Sequence, residues 1–266
     1  MVYLISTVVV SLAVCVLIYK FAGITFNGLP VLMYHKVTET GSPDRLTVTV
    51  QQLDNHFRHL VKEKYTTIFL SELLDYANGK KALPSKPVLL TFDDGYKDNY
   101  TNLYPLLRQY GMKANIFLVA GFIQPSNTSV SSDSEYLHVD ESKMMSEMVQ
   151  YGLHTYEHKS YDDLTITQIE EDVKKCQLRL DHLEIPYQPC LAYTYGAYPK
   201  KDAIKRNQLF QTLQANGIQL AFRIGNRVNK LPLKNKFLLQ RIDVRGDESF
   251  SRFKFILVMG KKMLVS

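Results

Sequence analysis

Two short stretches hold the side chains best suited to chemistry. Asp93 and Asp94 stand together before Gly95, and His154 and His158 are separated by three residues. One carboxylate with two imidazoles makes a three-ligand set that leaves coordination positions for water and substrate. Such a set suits Zn2+, and also Co2+, Ni2+ or Fe2+. Asp94, His154 and His158 are thereby assigned to one divalent metal ion, and Asp93 is left free as a base. A His-x3-His spacing is compatible with two ligands on one helical turn or in a tight loop. An Asp-Asp-Gly turn alone is a common surface feature; its combination with the histidine pair is what carries the argument.

The elements around these residues follow from apolar spacing. Pro87 to Gly95 reads PVLLTFDDG, an apolar run buried on both faces that ends in the two carboxylates. Side chains alternate along a strand, so the two Asp side chains are expected to point in different directions. Further strands are expected at Pro30–His35, Thr66–Leu70, Ala114–Val119, Cys190–Gly196, Leu220–Ile224 and Leu238–Val244. Helical spacing marks Gln52–Glu63, Glu72–Ala77, Asn102–Tyr110, Ile166–Leu183, Ala203–Ala215 and Phe250–Met259. Asp140 is read as the cap of a helix running to about Tyr151, and His56 and His59 as surface or rim residues. Alternating strands and helices argue for parallel strands with crossover helices. Chemistry-bearing residues at several strand ends fit the C-terminal face of a barrel.

The chain of 266 residues is long enough for one such domain. Its three cysteines, Cys15, Cys176 and Cys190, are too few and scattered for a disulfide framework or zinc knuckle. No glycine-rich phosphate loop follows any strand, and no motif supports nucleic acid as a partner. Val2–Ile18 carries no charge and Lys20 follows. Residues 1–22 are therefore read as an N-terminal membrane anchor or uncleaved signal, and residues 23–266 as the catalytic domain. Lys20 weakly places its own flank in the cytoplasm by the positive-inside tendency, whereas the function points outside the cell. The net charge of +6 is uneven: residues 200–266 hold fifteen Lys/Arg and four Asp/Glu. A basic C-terminal third is compatible with anionic lipid or an acidic polymer, and equally with a solvated surface.

The segments PVLMYHKV, LLTFDDGYKDNY, HTYEH followed by Leu164, and LAYTYG together resemble the NodB-homology polysaccharide deacetylases, carbohydrate esterase family 4. The resemblance covers roughly residues 30–260. The order, with Met-Tyr-His ahead of Thr-Phe-Asp-Asp-Gly, is similar to the circularly permuted branch that deacetylates poly-β-1,6-N-acetylglucosamine. It implies a single irregular (β/α) barrel of about seven parallel strands. It implies Asp93 as catalytic base, Asp94, His154 and His158 as metal ligands, and Thr155 beside the acetate pocket. Tyr195 would supply a backbone N–H to the oxyanion, and His35 would protonate the leaving amine. The family's Arg-x-Pro-Tyr is replaced here by Ala192-Tyr193-Thr194-Tyr195, so Arg241 is the candidate for the missing charge. Tyr193, with Tyr136 and Tyr151, is a candidate to stack on sugar rings, core packing being the other use of each.

These parts suit amide hydrolysis. A metal polarises the carbonyl and acidifies water, a carboxylate accepts the water proton, and an acid protonates the departing nitrogen. The expected activity is metal-dependent removal of N-acetyl groups from an N-acetylglucosamine-containing polysaccharide at the outer side of a membrane. Alternatives are a deacetylase or deformylase of lipid-linked sugar or peptidoglycan, and a non-catalytic, membrane-tethered carbohydrate-binding protein.

Overall fold

The computed structural model describes residues 28–125 and 135–261. Seven parallel strands form the barrel: β1 (Val31–Tyr34), β2 (Pro87–Asp94), β3 (Ala114–Leu118), β4 (Val149–Leu153), β5 (Tyr187–Ala192), β6 (Leu220–Ile224) and β7 (Leu239–Asp243). Around the ring the order is β1-β7-β6-β5-β4-β3-β2, and β1 closes it by pairing with β2, Val31 opposite Leu89 and Tyr34 opposite Phe92. Alternate side chains of each strand fill two separate cores. Val31, Leu89, Phe117, Ala192 and Phe222 belong to the barrel interior, while Leu32, Tyr34, Leu90, Phe92 and Ile116 pack beneath the surrounding helices.

The helices are α1 (Val50–Lys62), α2 (Leu70–Ala77), α3 (Tyr104–Tyr110), α4 (Val139–Met144), α5 (Ile166–His182), α6 (Ala203–Ala215) and α7 (Phe250–Met259). Local sequence fixes their ends. Thr49 and Gln52 form a reciprocal capping box at α1, and Thr165 and Gln168 do the same at α5. Gly111, at φ 60°, ends α3 in the left-handed conformation. α2 caps the N-terminal end of the barrel: Leu70, Leu73 and Leu74 join the interior core. The buried Asn115 side chain accepts from Leu70 N–H at 2.8 Å and donates to the carbonyls of Ile68 and Leu90, both at 3.1 Å.

Several boundaries differ from expectation. The segment read as a strand over 66–70 is only Thr66–Thr67, paired with the first two residues of β2 outside the ring. The helix expected from Asp140 to Tyr151 ends at Met144, and its cap is His138, whose N–H donates to Glu141 at 2.9 Å. Beyond that helix the chain enters β4, a barrel strand the spacing argument missed. Val149, Tyr151 and Leu153 alternate, which is a strand pattern too short to outweigh the helical start before it. β5 ends at Ala192, because Tyr195 at φ 57° turns the chain out of the sheet. The expected anchor at residues 1–22 lies outside the described residues, among which no helix is long and apolar enough to cross a membrane. Cys176 and Cys190 are buried and unpaired.

His56 is buried, not a rim residue. Its ring stacks on Phe253 with centroids 3.7 Å apart, and its Nδ1 lies 3.2 Å from Tyr34 Oη. Burial, aided by His59, holds its pKa down to about 3. The unfolded chain protonates this imidazole near the ordinary value of about 6.5. Stability from the neutral ring is thus complete above that pH and is lost as pH falls, by about 1.4 kcal/mol per unit. His56→Phe should flatten that slope: between pH 7 and 5 its urea-unfolding free energy should fall by about 2 kcal/mol less than the wild type's. Equal losses in both proteins would contradict a neutral, buried His56.

Candidate active site

The C-terminal ends of the strands bring the expected residues together. Asp93 and Asp94 end β2, His154 follows β4, Arg241 lies within β7, and His35 follows β1. Strand alternation alone would separate the two carboxylates. Asp94 instead has φ 74° and Gly95 φ 77°, which swings the second carboxylate toward the first. His154 Nε2 consequently lies 3.4 Å from Asp94 Oδ1 and 3.7 Å from Asp93 Oδ2, and His158 Nε2 lies 3.1 Å from Asp94 Oδ1. A Cβ on Gly95 would come within 2.8 Å of Leu118 Cδ2, so this turn requires glycine for space as well as for φ.

The histidine pair sits in a tight loop rather than on a helical turn, with Thr155 at φ 67° and His158 at φ 59°. Such strain persists only where the surroundings enforce it. Asp172 of α5 does so: it accepts from Tyr156 N–H at 3.0 Å and from Tyr161 Oη at 2.7 Å. From the other side, Ala120 N–H and Gly121 N–H donate to the carbonyls of Thr155 and Tyr156 at 3.2 and 3.0 Å. A Cβ on Gly121 would stand 2.5 Å from the Tyr156 carbonyl. Sequence reasoning missed both Asp172 and Gly121. A visible signal for the first was a carboxylate beside Ile169, Val173 and Cys176 on the apolar face of α5.

Electrostatics divide the two aspartates. Arg241, fully buried, donates from Nη1 to Asp93 Oδ1 at 2.5 Å, and its guanidinium lies 5.5 Å from the Phe117 ring centroid. Burial works to raise the Asp93 carboxyl, but Arg241, with His154 and His35, holds it below the usual carboxylate range. Asp94 is likewise held well down, against burial, by His158, His154 and His35. His154 Nδ1 lies 2.8 Å from the Ala192 carbonyl, which can only accept, so Nδ1 carries the proton and Nε2 presents a lone pair. His158 Nδ1 lies 3.2 Å from Tyr195 Oη. The buried Asp94 Oδ1 has no hydrogen-bond partner. One ligand atom each from Asp94, His154 and His158 lie within 4.8 Å of one another. An orphaned carboxylate oxygen facing imidazole nitrogens, one of them already oriented through its far side, fits a divalent cation.

The remaining candidates fall at the rim or in the core. His35 Nε2 lies 3.9 Å from Asp93 Oδ2 on the side away from Arg241's oxygen. Thr155 is buried, its hydroxyl 3.2 Å from that of Thr194. Tyr195 is 67% exposed at the mouth. Tyr193 is fully buried, packs near Tyr161 and Tyr198, and donates to the Phe237 carbonyl at 3.1 Å, so its ring offers no face to a sugar. Tyr151 is also core, donating to the Ser142 carbonyl at 2.7 Å. Tyr136 stacks with Tyr96 at 5.3 Å, and Lys36 Nζ lies 4.4 Å from the Tyr96 centroid. Burial first, and then the charge of the Asp94 carboxylate, push up the phenol of Tyr96, which sequence reasoning passed over.

Removing the support of the histidine loop tests its role. Asp172→Ala leaves Tyr156 N–H and Tyr161 Oη without their acceptor and should cost about 2–3 kcal/mol in urea unfolding. The Tyr156 amide should also exchange with deuterium faster than in Val173→Ala, a neighbouring core truncation. Unchanged Tyr156 exchange would show that Asp172 does not hold the loop.

Comparisons with known proteins bear on this site. Residues 80–209 match the family model for polysaccharide deacetylase, a span that includes Asp93, Asp94, His154 and His158 but not His35 or Arg241. YxkH of Bacillus subtilis, which carries a polysaccharide deacetylase name, is 32% identical over 174 residues, 64% of this chain and 57% of that protein. The chain thus spans little more than half of that relative's length. The poly-β-1,6-N-acetyl-D-glucosamine N-deacetylase of Staphylococcus epidermidis is 25% identical over 247 residues, 83% of this chain and 80% of that enzyme. Among solved structures, the Streptococcus pyogenes deacetylase PplD superposes with a TM-score of 0.71 at 20% identity, covering 86% of this chain and 98% of that one. IcaB from Ammonifex degensii gives 0.70 at 22% identity, covering 87% and 96%. At such identities the superpositions show a shared fold, the seven-stranded parallel barrel. Family model and sequence relatives thus agree that residues 80–209 carry a polysaccharide deacetylase domain, set in a barrel of the shared fold.

Proposed function

We propose that this protein hydrolyses N-acetyl groups on an N-acetylglucosamine-containing polysaccharide, releasing acetate and leaving free amines. The observation that carries the reading is the pairing of an ionised, Arg241-bound Asp93 with a three-ligand cradle on its neighbour Asp94. The staphylococcal relative, matched along most of both chains, favours a β-1,6-linked substrate. A membrane-associated site facing outward, where such polymers emerge, is part of the same reading.

Asp94, His154 and His158 would hold a divalent cation, with Zn2+ suited to the donor set and Co2+, Ni2+ and Fe2+ also compatible. Bound there, the ion would supply Lewis acidity to the acetyl carbonyl and acidity to water. The chain's own groups do the rest. Asp93, ionised and anchored through Oδ1, has Oδ2 free to accept the water proton. Arg241 keeps that carboxylate charged and prevents it from turning into the ligand set. The Tyr195 N–H, in a turn whose own bonds use Gly196 and Ala197, would donate to the oxyanion, an interaction typically worth about 3 kcal/mol. Thr155, buried beside the ligands, would help shape the acetate pocket. His35, beside Asp93 and 13% exposed, would deliver the proton to the departing nitrogen.

Acetate release from β-1,6-linked N-acetylglucosamine oligomers, chitin oligomers and peptidoglycan, with and without chelator, tests the proposal. Release should be greatest on the β-1,6 series and be lost with chelator; no release from any of them would refute it. Asp93→Asn should lower kcat by about 10²–10⁴-fold with metal content intact. Arg241→Met removes the strongest of the charges that oppose burial at Asp93, so its carboxyl titrates higher. The acid limb of the kcat/KM profile should therefore move to higher pH, and an unmoved limb would contradict the role given to Arg241. His35→Ala should slow amide substrates more than activated acetate esters; equal losses would make His35 structural.

A further inference from the structure

The face of the barrel opposite the candidate site is basic in a concentrated way. Two loops cover it, one following α2 and one preceding β7. They bring Lys80, Lys81, Lys86, Lys230, Lys234 and Lys236 to the surface, all exposed. No acidic residue occurs between Asp75 and Asp93, nor between Asp202 and Asp243. The loops are neighbours in space: Lys236 Nζ donates to Asn78 Oδ1 at 3.0 Å, and Asn78 Nδ2 to Gln219 Oε1 at 2.8 Å. Lys80 reaches Asp75 only at 3.9 Å, and Lys86 and Lys236 bond to neutral oxygens. Among the described residues, Lys81, Lys230 and Lys234 have no carboxylate within 4.0 Å. The candidate-site carboxylates Asp93 and Asp94 stand at the other end of the strands.

The chain's route adds a second observation. Gly28 pairs with Lys230 just before β1 begins, so residues 1–27 join the fold at this same face. Those residues include the uncharged run Val2–Ile18. From Lys20 to Asn27, even a fully extended chain spans no more than about 28 Å. A bilayer holding the apolar run would therefore lie within reach of the lysines.

We propose that this lysine face seats on an anionic phospholipid surface and thereby points the catalytic mouth away from the membrane. Cations near an anionic leaflet each strengthen association roughly five-fold, an effect confined to about a Debye length of the surface. An uncharged run of this length, if held in a bilayer, would tether the face to lipid and to no soluble polymer, which favours lipid phosphate as the anion. The proposal uses none of the catalytic residues and stands or falls apart from the deacetylase reading.

The test is hydrogen exchange on the full chain in nanodiscs of phosphatidylcholine alone or with one-third phosphatidylglycerol. Loops 79–86 and 230–236 should exchange several-fold more slowly in the anionic discs, while the turns after β2 and β4 exchange equally in both. The protection should vanish at about 0.5 M salt and in Lys81→Glu/Lys230→Glu/Lys234→Glu, whose melting temperature should match the wild type's. Equal exchange of the lysine loops in both discs would overturn the proposal. So would equal protection by soluble polyphosphate with neutral discs, which would assign the face to a polymer.

Discussion

A guanidinium buried inside a barrel must be neutralised where it lies, and Arg241 meets that condition through Asp93. The two residues are on strands separated in the ring by β1, so the contact crosses the barrel interior and exists only once β1 has closed against β2. Removing one partner of such a pair typically costs about 3–5 kcal/mol, because the other charge is left buried alone. Fold and chemistry are therefore coupled: the arrangement that keeps the barrel's upper interior electrically balanced also keeps a carboxylate ionised at the strand ends.

Around this fixed pair the chain spends strain. Asp94, Thr155, His158 and Tyr195 all have positive φ although none is glycine. Neighbours hold the turns around the ligands: Leu118 packs beside Gly95, Asp172 and the 120–121 backbone grip the histidine loop, and the Ala192 carbonyl orients His154. The strands give position and the left-handed turns give direction. Two adjacent aspartates, which a regular strand would point apart, can thus share one histidine while only one of them faces an arginine.

Much of the site was legible because its residues are chemically conspicuous. Asp93-Asp94-Gly95 closes an apolar run, and His154 and His158 stand out in a chain with seven histidines. Arg241 could be suggested from a departure in the Ala192–Tyr195 segment, since a base needs a counter-charge. Less was legible where meaning depends on the fold. β4 was hidden by an apparent helix start at Asp140, and nothing local tells Val149–Leu153 to join a sheet until β3 and β5 flank it. His56 looked like a rim residue because its burial comes from α7, far along the chain. Tyr193 looked like a sugar platform, yet aromatic type alone does not separate core from cleft. Asp172 supports the site through a backbone hydrogen bond, which leaves no motif.

The central claim is a cation gripped by Asp94, His154 and His158 with Asp93 left outside. An anomalous-difference map from crystals of the zinc-loaded protein measures this directly. One peak is expected about 2.0–2.2 Å from Asp94 Oδ1, His154 Nε2 and His158 Nε2, with Asp93 still on Arg241. A peak ligated by Asp93, or one that omits either histidine, would contradict it.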